Sequence, residues 1–218
     1  MRVPLTPYGR REILAVTALW TLCLALGCWL VWPLALAASA VWIAVLAFFR
    51  DPDRPVRPPP HGLLSPADGR VTDVDHTDSP CEFLPGPAVR VSVFMSLLDV
   101  HVNRAPGSGV VRWRTCLPGA HRDARDPRAA SENECCMLGI QSADGRRVVV
   151  KQIAGLLARR VVCAADVGRR LSPGERFGMV KLGSRVEVFV PCGDGFTTTV
   201  RPGDRVRAGV DVIGVYEE

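Results

Sequence analysis

Residues 13–49 carry no charged side chain: "ILAVTALWTLCLALGCWLVWPLALAASAVWIAVLAFF". An apolar helix needs about 20 residues to cross a bilayer, so the run is nearly long enough to cross twice. Pro33 divides it into halves of similar length, which predicts a helical hairpin that enters a membrane and returns. Trp20, Trp29, Trp32 and Trp42 supply amphipathic rings suited to the headgroup level. Two plainer readings compete. "ALAASA" (residues 35–40) has small residues spaced like a signal-peptide cleavage site, but the apolar stretch before it exceeds the usual ~7–15 residues and resumes as "VWIAVLAFF". A buried core helix rarely runs so far without a polar face. Arginines flank the run on both sides, at positions 2, 10 and 11 and at 50, 54 and 57, so both ends are expected on the cytoplasmic face of the cell membrane.

The remainder reads differently. "RDPDRPVRPPPHG" (residues 50–62) is a stiff, proline-rich linker. Beyond it, "GRVTDVD", "AVRVSVFMS", "RRVVVKQIAG", "RRVVCAADV" and "SRVEVFVP" are rich in β-branched residues and bounded by Gly, Pro and Asp. "HRDARDPRAASENE" (residues 121–134) reads as a charged surface loop, and no long amphipathic helix follows residue 49. The expected fold is a β-dominated, mainly antiparallel soluble domain, with lipoyl-like hairpins left open, behind an N-terminal α-helical membrane hairpin. The expected layout is hairpin 1–49, linker 50–62 and domain 63–218.

The formal net charge of +5 rests almost wholly on arginine, since Lys151 and Lys181 are the sole lysines. No aromatic-interleaved basic patch accompanies it, so nucleic acid is not expected as a partner; with an apolar run present, anionic lipid is the simpler one. The eight cysteines show no C-x-x-C pair and no zinc-like spacing with histidine. They are expected to be reduced thiols, and no metal is expected.

Three stretches hold chemistry-bearing residues. "FMSLLDVHVNRAPGSG" (residues 94–109) brings Asp99, His101, Asn103 and Arg104 to the end of a strand pattern. "LLSPADGRVTDV" sets Asp68 in an Ala-Asp-Gly turn, which is ordinary turn chemistry as much as a site. In "GMVKLGSRVEVFVP" (residues 178–191), strand parity puts Ser184 on the face of Val186, Val188 and Val190, with Arg185 and Glu187 opposite. An inward-facing serine needs a hydrogen-bonding partner. Gly183 before it lets the turn bring the hydroxyl against the preceding carbonyl, a geometry that permits an N-to-O acyl shift. The residues alone favour a simple turn, since Gly-Ser is a common dipeptide.

Taken in order, "FFRDPDRPVRP", "LLSPADGRV", "FMSLLDVHVNRAP", "SENE", "QIAGLLARRVVC", "GERFGMVKLGSRVEVFVP" and "GDRVRAGVDVIG" resemble the phosphatidylserine decarboxylase proenzymes in their short form, over nearly the whole chain. The resemblance implies self-cleavage between Gly183 and Ser184 into a β chain (1–183) and an α chain (184–218) that remain associated. It implies that Ser184 becomes a covalent pyruvoyl group, which forms a Schiff base with the substrate in place of pyridoxal phosphate. Asp68 and His101 match the acid–base partners of that cleavage, and Arg104 is a guess for the lipid phosphate. Longer members carry a second histidine where this chain has Arg104, which leaves open which histidine completes the relay. The substrate implied is phosphatidylserine, a membrane phospholipid. The alternatives are another serine-headgroup lipid such as archaetidylserine, or a non-enzymatic lipoyl- or biotinyl-like carrier using Lys181 in "MVKLG". Whether the chain forms a homo-oligomer is left open.

Overall fold

The computed structural model describes residues 5–27, 32–156, 160–181 and 184–217. It divides into two compact units, residues 1–53 and 54–218.

The first unit is a helical hairpin of α1 (Arg10–Gly27) and α2 (Trp32–Phe48). Pro33 is the second residue of α2, in the first turn, where its missing N–H is not needed. The Trp20 and Trp42 rings stack at 4.5 Å between centroids. Their indole N–H groups donate at 3.1 Å to Ser39 Oγ and Thr17 Oγ1 respectively, which fixes the antiparallel register. Backbone pairing of Thr6 N–H with the Phe49 carbonyl, 3.0 Å, ties the two ends together. No helix among the described residues is long and apolar enough to cross a membrane. α1 opens with Arg10, Arg11 and Glu12, and the 17 residues of α2 rise only about 25 Å. The helical hairpin itself is thus as expected.

In the second unit β1 (Gly62–Leu64), β2 (Gly69–Thr77), β3 (Ala88–Met95), β4 (Val102–Arg104) and β5 (Gly109–Leu117) come first. A four-residue helix, α3 (Ala129–Glu132), precedes β6 (Cys135–Gln141), β7 (Arg147–Ile153) and β8 (Val161–Cys163). Then follow β9 (Arg170–Leu171), β10 (Arg176–Val180), β11 (Ser184–Pro191), β12 (Phe196–Thr198), β13 (Arg205–Val206) and β14 (Val212–Tyr216). An eight-stranded sheet has the order β13-β2-β3-β11-β7-β6-β5-β9, and two three-stranded sheets have the orders β4-β10-β8 and β1-β14-β12. The described strand pairings are antiparallel.

Parity along β11 holds. Val186, Val188 and Val190 join Val91 and Val93 of β3 and Leu138 and Val150 in the main core. The opposite face is buried as well, by Leu84, Met137, Val149 and Phe189 and by a Glu187 carboxylate, 1% exposed, that pairs with Arg185 at 2.8 Å. β6 is buried on both faces, which explains why "CCMLGIQ" shows no alternation. In "RRVVCAADV" only Val161–Cys163 is strand. The expectation of reduced cysteines is corrected at one place: Cys116 and Cys136, directly opposed across β5 and β6, form a disulfide.

Candidate active site

β3, β11 and β7 are neighbours in the large sheet, and β4, β10 and β8 are neighbours in the same order in a small one. Three of the chain's passages between the two sheets run from β3 to β4, from β7 to β8, and from β10 to β11. Register brings the three passages together. Ser184 pairs with Met95 and Arg185 with Ile153 on the large-sheet side. On the other side Met179 pairs with Val102, Val180 pairs with Val161, and Val180 N–H reaches the His101 carbonyl at 3.3 Å. The ends of β3, β7 and β11 in the large sheet and of β4, β8 and β10 in the small one therefore meet at one corner of the second unit. Gly178 lets β10 lie close against β8 beside this corner, since a Cβ there would lie 2.2 Å from the Val162 carbonyl oxygen.

Ser184 and His101 meet at this corner, and neither is exposed to solvent. His101 Nδ1 is 3.3 Å from Ser184 Oγ, and Nε2 is 3.0 Å from the Ser96 carbonyl oxygen. A carbonyl only accepts, so Nε2 carries the ring proton, and in the neutral ring the Nδ1 lone pair faces the Ser184 hydroxyl. The histidine is in turn held by a closed turn. Asp99 Oδ2 accepts from Ser96 N–H at 2.8 Å and from Ser96 Oγ at 2.6 Å, and Asp99 N–H donates to the Ser96 carbonyl at 3.0 Å. Ser96 escaped notice in the sequence, although a strand-ending serine three residues before an aspartate is a turn signature.

Gly183 lies outside the described residues. Asp68 stands just before β2, which borders β3 on the side away from β11. Its carboxylate takes Arg54 Nη1 at 2.5 Å and Nη2 at 2.7 Å, and the Ala208 N–H at 2.8 Å. Gly69, at φ 151°, lets this turn close, because a Cβ would fall 2.0 Å from the Phe94 carbonyl oxygen. Arg104 is at the end of β4. It lies three residues along β4 from His101, is 4% exposed and donates to the Gly174 carbonyl at 3.2 Å.

"SENE" acts as a brace. Buried Asn133 accepts from Arg122 N–H at 2.9 Å and donates to the Arg122 and Ala154 carbonyls at 2.9 and 2.8 Å. Glu134 accepts from Val161 N–H at 3.2 Å, so the loop ties both ends of the β7–β8 passage. Burial pushes the Cys135 and Cys163 thiols up, which keeps them protonated beside the corner. Among the described residues no group of three His, Cys, Asp or Glu side chains could hold a metal ion.

Residues 43–214 match the family model described as phosphatidylserine decarboxylase. The chain belongs to that family. A phosphatidylserine decarboxylase proenzyme of Symbiobacterium thermophilum is 45% identical over 84% of each chain. A protein of the same name from Chlorobium luteolum is 40% identical over 96% of this chain and 98% of its own, and one from Nitrosomonas eutropha is 40% identical over 85% and 84%. The strands that meet at the corner lie inside the matched region, as do Asp68, His101 and Ser184.

Proposed function

We propose that this chain is a self-processing proenzyme that decarboxylates phosphatidylserine to phosphatidylethanolamine. The observation that carries the reading is Nδ1 of a buried histidine 3.3 Å from the hydroxyl oxygen of a buried serine, in a chain of this family. His101 takes the hydroxyl proton as Ser184 Oγ attacks the Gly183 carbonyl, and the peptide nitrogen leaves protonated, giving an ester. Loss of the Ser184 Cα proton then expels the Gly183 carboxylate and leaves a dehydroalanine. That residue tautomerises and reacts with water, releasing ammonia and leaving a pyruvoyl group at the new N-terminus. Burial of Ser184 suits each step before the last, because the ester is kept from hydrolysis.

The pyruvoyl group supplies an electrophilic carbonyl that takes up the substrate amine and accepts the electrons released with CO₂. His101 stands beside position 184 to return the proton that completes the product. Asp68, fixed by Arg54, is assigned to the relay as its carboxylate. Its Oδ2 carries one described hydrogen bond, and a carboxylate oxygen has room for two. The α chain stays in place after the cut, because β11 is paired with β3 along Ser184–Pro191 and with β7 on its other side. The carrier alternative needs a lysine at an exposed hairpin tip, whereas Lys181 is 9% exposed.

The N-terminal hairpin is assigned to the cytoplasmic face of the cell membrane. Leu14, Leu19 and Leu22 of α1 and Leu34, Leu36 and Ile43 of α2 are exposed, and Arg10, Arg11 and Arg50 sit at the hairpin's ends.

Intact masses under denaturing conditions test the reading. Wild type should give two chains, with the smaller starting at a pyruvoyl-modified position 184, and should release CO₂ from phosphatidylserine. Ser184→Ala should stay whole and release none. A wild-type chain that remains intact in its native membrane would overturn the proposal.

A further inference from the structure

Within residues 54–218 the exposed large apolar side chains, among those described, are Leu97, Leu98, Leu117, Leu156 and Val167. Four of these five stand at one end of the eight-stranded sheet. Leu97 and Leu98 follow the end of β3 and Leu156 follows the end of β7, and those two strands end on either side of Ser184. Leu117 ends β5 opposite Cys135, which in turn pairs with Ile153. Val167 is at the other end, next to Gly168, whose N–H bonds to the Val111 carbonyl.

The tip of a tight turn is normally polar, because it lies in water. Here the Ser96–Asp99 turn is closed by three hydrogen bonds and carries two leucines at its centre, 48% and 84% exposed. The same Ser96 carbonyl that closes the turn also holds His101. The arginines of the neighbouring 118–134 segment are neutralised within it: Arg122 pairs with Glu132, Arg125 with Asp123 and Arg128 with Asp126. This end of the domain thus offers apolar side chains around Ser184, with the arginines of the 118–134 segment compensated.

We propose that the Ser96–Asp99 turn, with Leu156 beside it, inserts into a lipid bilayer surface and seats the Ser184 corner on the headgroup layer. The proposal rests on the reading that the substrate is a phospholipid. A bilayer is the occupant because the scissile carboxyl of such a substrate lies in the headgroup, while its chains remain among other lipids. A serine buried at the corner can meet that headgroup only if its rim enters the interface.

The test uses the full-length, self-processed chain with Leu97→Asn and Leu98→Asn combined. CO₂ release is measured from vesicles of phosphatidylcholine containing phosphatidylserine, and from a short-chain phosphatidylserine kept monomeric. Loss of two inserted leucines should lower kcat/KM on vesicles by about tenfold or more, with a much smaller change on the monomeric lipid. The ratio to wild type should be the same at low and high salt, since an apolar contribution is removed. Val167→Asn should match wild type on both substrates. Unchanged vesicle activity, an equal loss on both substrates, or a shift from dimer to monomer with vesicle activity kept would each overturn the proposal.

A second measurement is independent of activity. The fluorescence added by Leu98→Trp should be quenched by vesicles whose acyl chains are brominated, and that added by Val167→Trp should not. Quenching at position 98 in a chain that decarboxylates neither lipid would sink the enzymatic reading and leave the docking surface standing. Activity on vesicles without quenching would do the reverse.

Discussion

His101 Nδ1 lies 3.3 Å from Ser184 Oγ, although 83 positions separate the two residues, because each begins or ends a passage of the chain between the same two sheets. The first prediction follows from that distance. His101→Gln keeps a side-chain N–H able to reach the Ser96 carbonyl and removes the basic nitrogen. Self-cleavage should slow by roughly 100-fold or more, while the melting temperature changes little. The ratio of whole to cut chain over time, read by denaturing electrophoresis, checks it. Cleavage at the wild-type rate would remove His101 as the base.

Asp68 and Arg54 form a pair whose side chains are 12% and 9% exposed, so removing either charge leaves the other buried without compensation. Asp68→Asn and Arg54→Met should each cost about 3 kcal/mol, and the double variant should recover much of that loss. Recovery of stability should not bring back cleavage, because the relay carboxylate is gone. Denaturant melts run beside cleavage assays separate the two effects. A stable double variant that cleaves normally would reduce Asp68 to a brace.

Asn133 is 3% exposed and makes three hydrogen bonds that join the loop after β5 to the end of β7. Asn133→Ala leaves an N–H and two carbonyls without their partner, so the expected cost is about 2–3 kcal/mol. The loss should appear in the denaturation midpoint. Cleavage should follow stability, returning when the variant is incubated at lower temperature.

Much of this arrangement was legible in the chain, and the part that was not has a physical reason. Alternation placed Ser184 inward with Val186, Val188 and Val190, and they share a buried face. Alternation could not show that Arg185 and Glu187 are buried too, since paired charges on a covered face look the same in sequence as charges on a wet one. The segments "FMSLLDVHVNRAP", "QIAGLLARRVVC" and "GERFGMVKLGSRVEVFVP", which carry much of the family resemblance, contain the strand ends that meet at the corner. A bend between sheets has no period of its own, so what the resemblance marked as chemistry could not be recognised as one corner until register was known. Arg54 was visible only as linker charge, because its partner is set by tertiary contact. The hairpin was read from its apolar run, and its two helices are as expected, though no helix among the described residues is both long and apolar enough to cross a membrane.

Gly178 gives the last prediction. It lies in β10 between β4 and β8, where a Cβ would fall 2.2 Å from the Val162 carbonyl oxygen and 2.9 Å from Gln152 Nε2. The first of these is backbone in a paired strand, so Gly178→Ala must push β10 away from β8. β10 also carries Val180, whose N–H holds the His101 carbonyl at 3.3 Å, so the displacement reaches the base. The variant should lose about 3 kcal/mol or more, in the range of overpacked core sites, and should cleave slowly even where it is folded. Gly193→Ala is the control: nothing lies within 4 Å of its Cβ and its backbone is unstrained, so stability should stay within about 0.5 kcal/mol. Circular dichroism melts and cleavage time courses on both variants decide the matter. If Gly178→Ala matches the control in both, the close approach of β10 to β8 is not what sets His101 against Ser184.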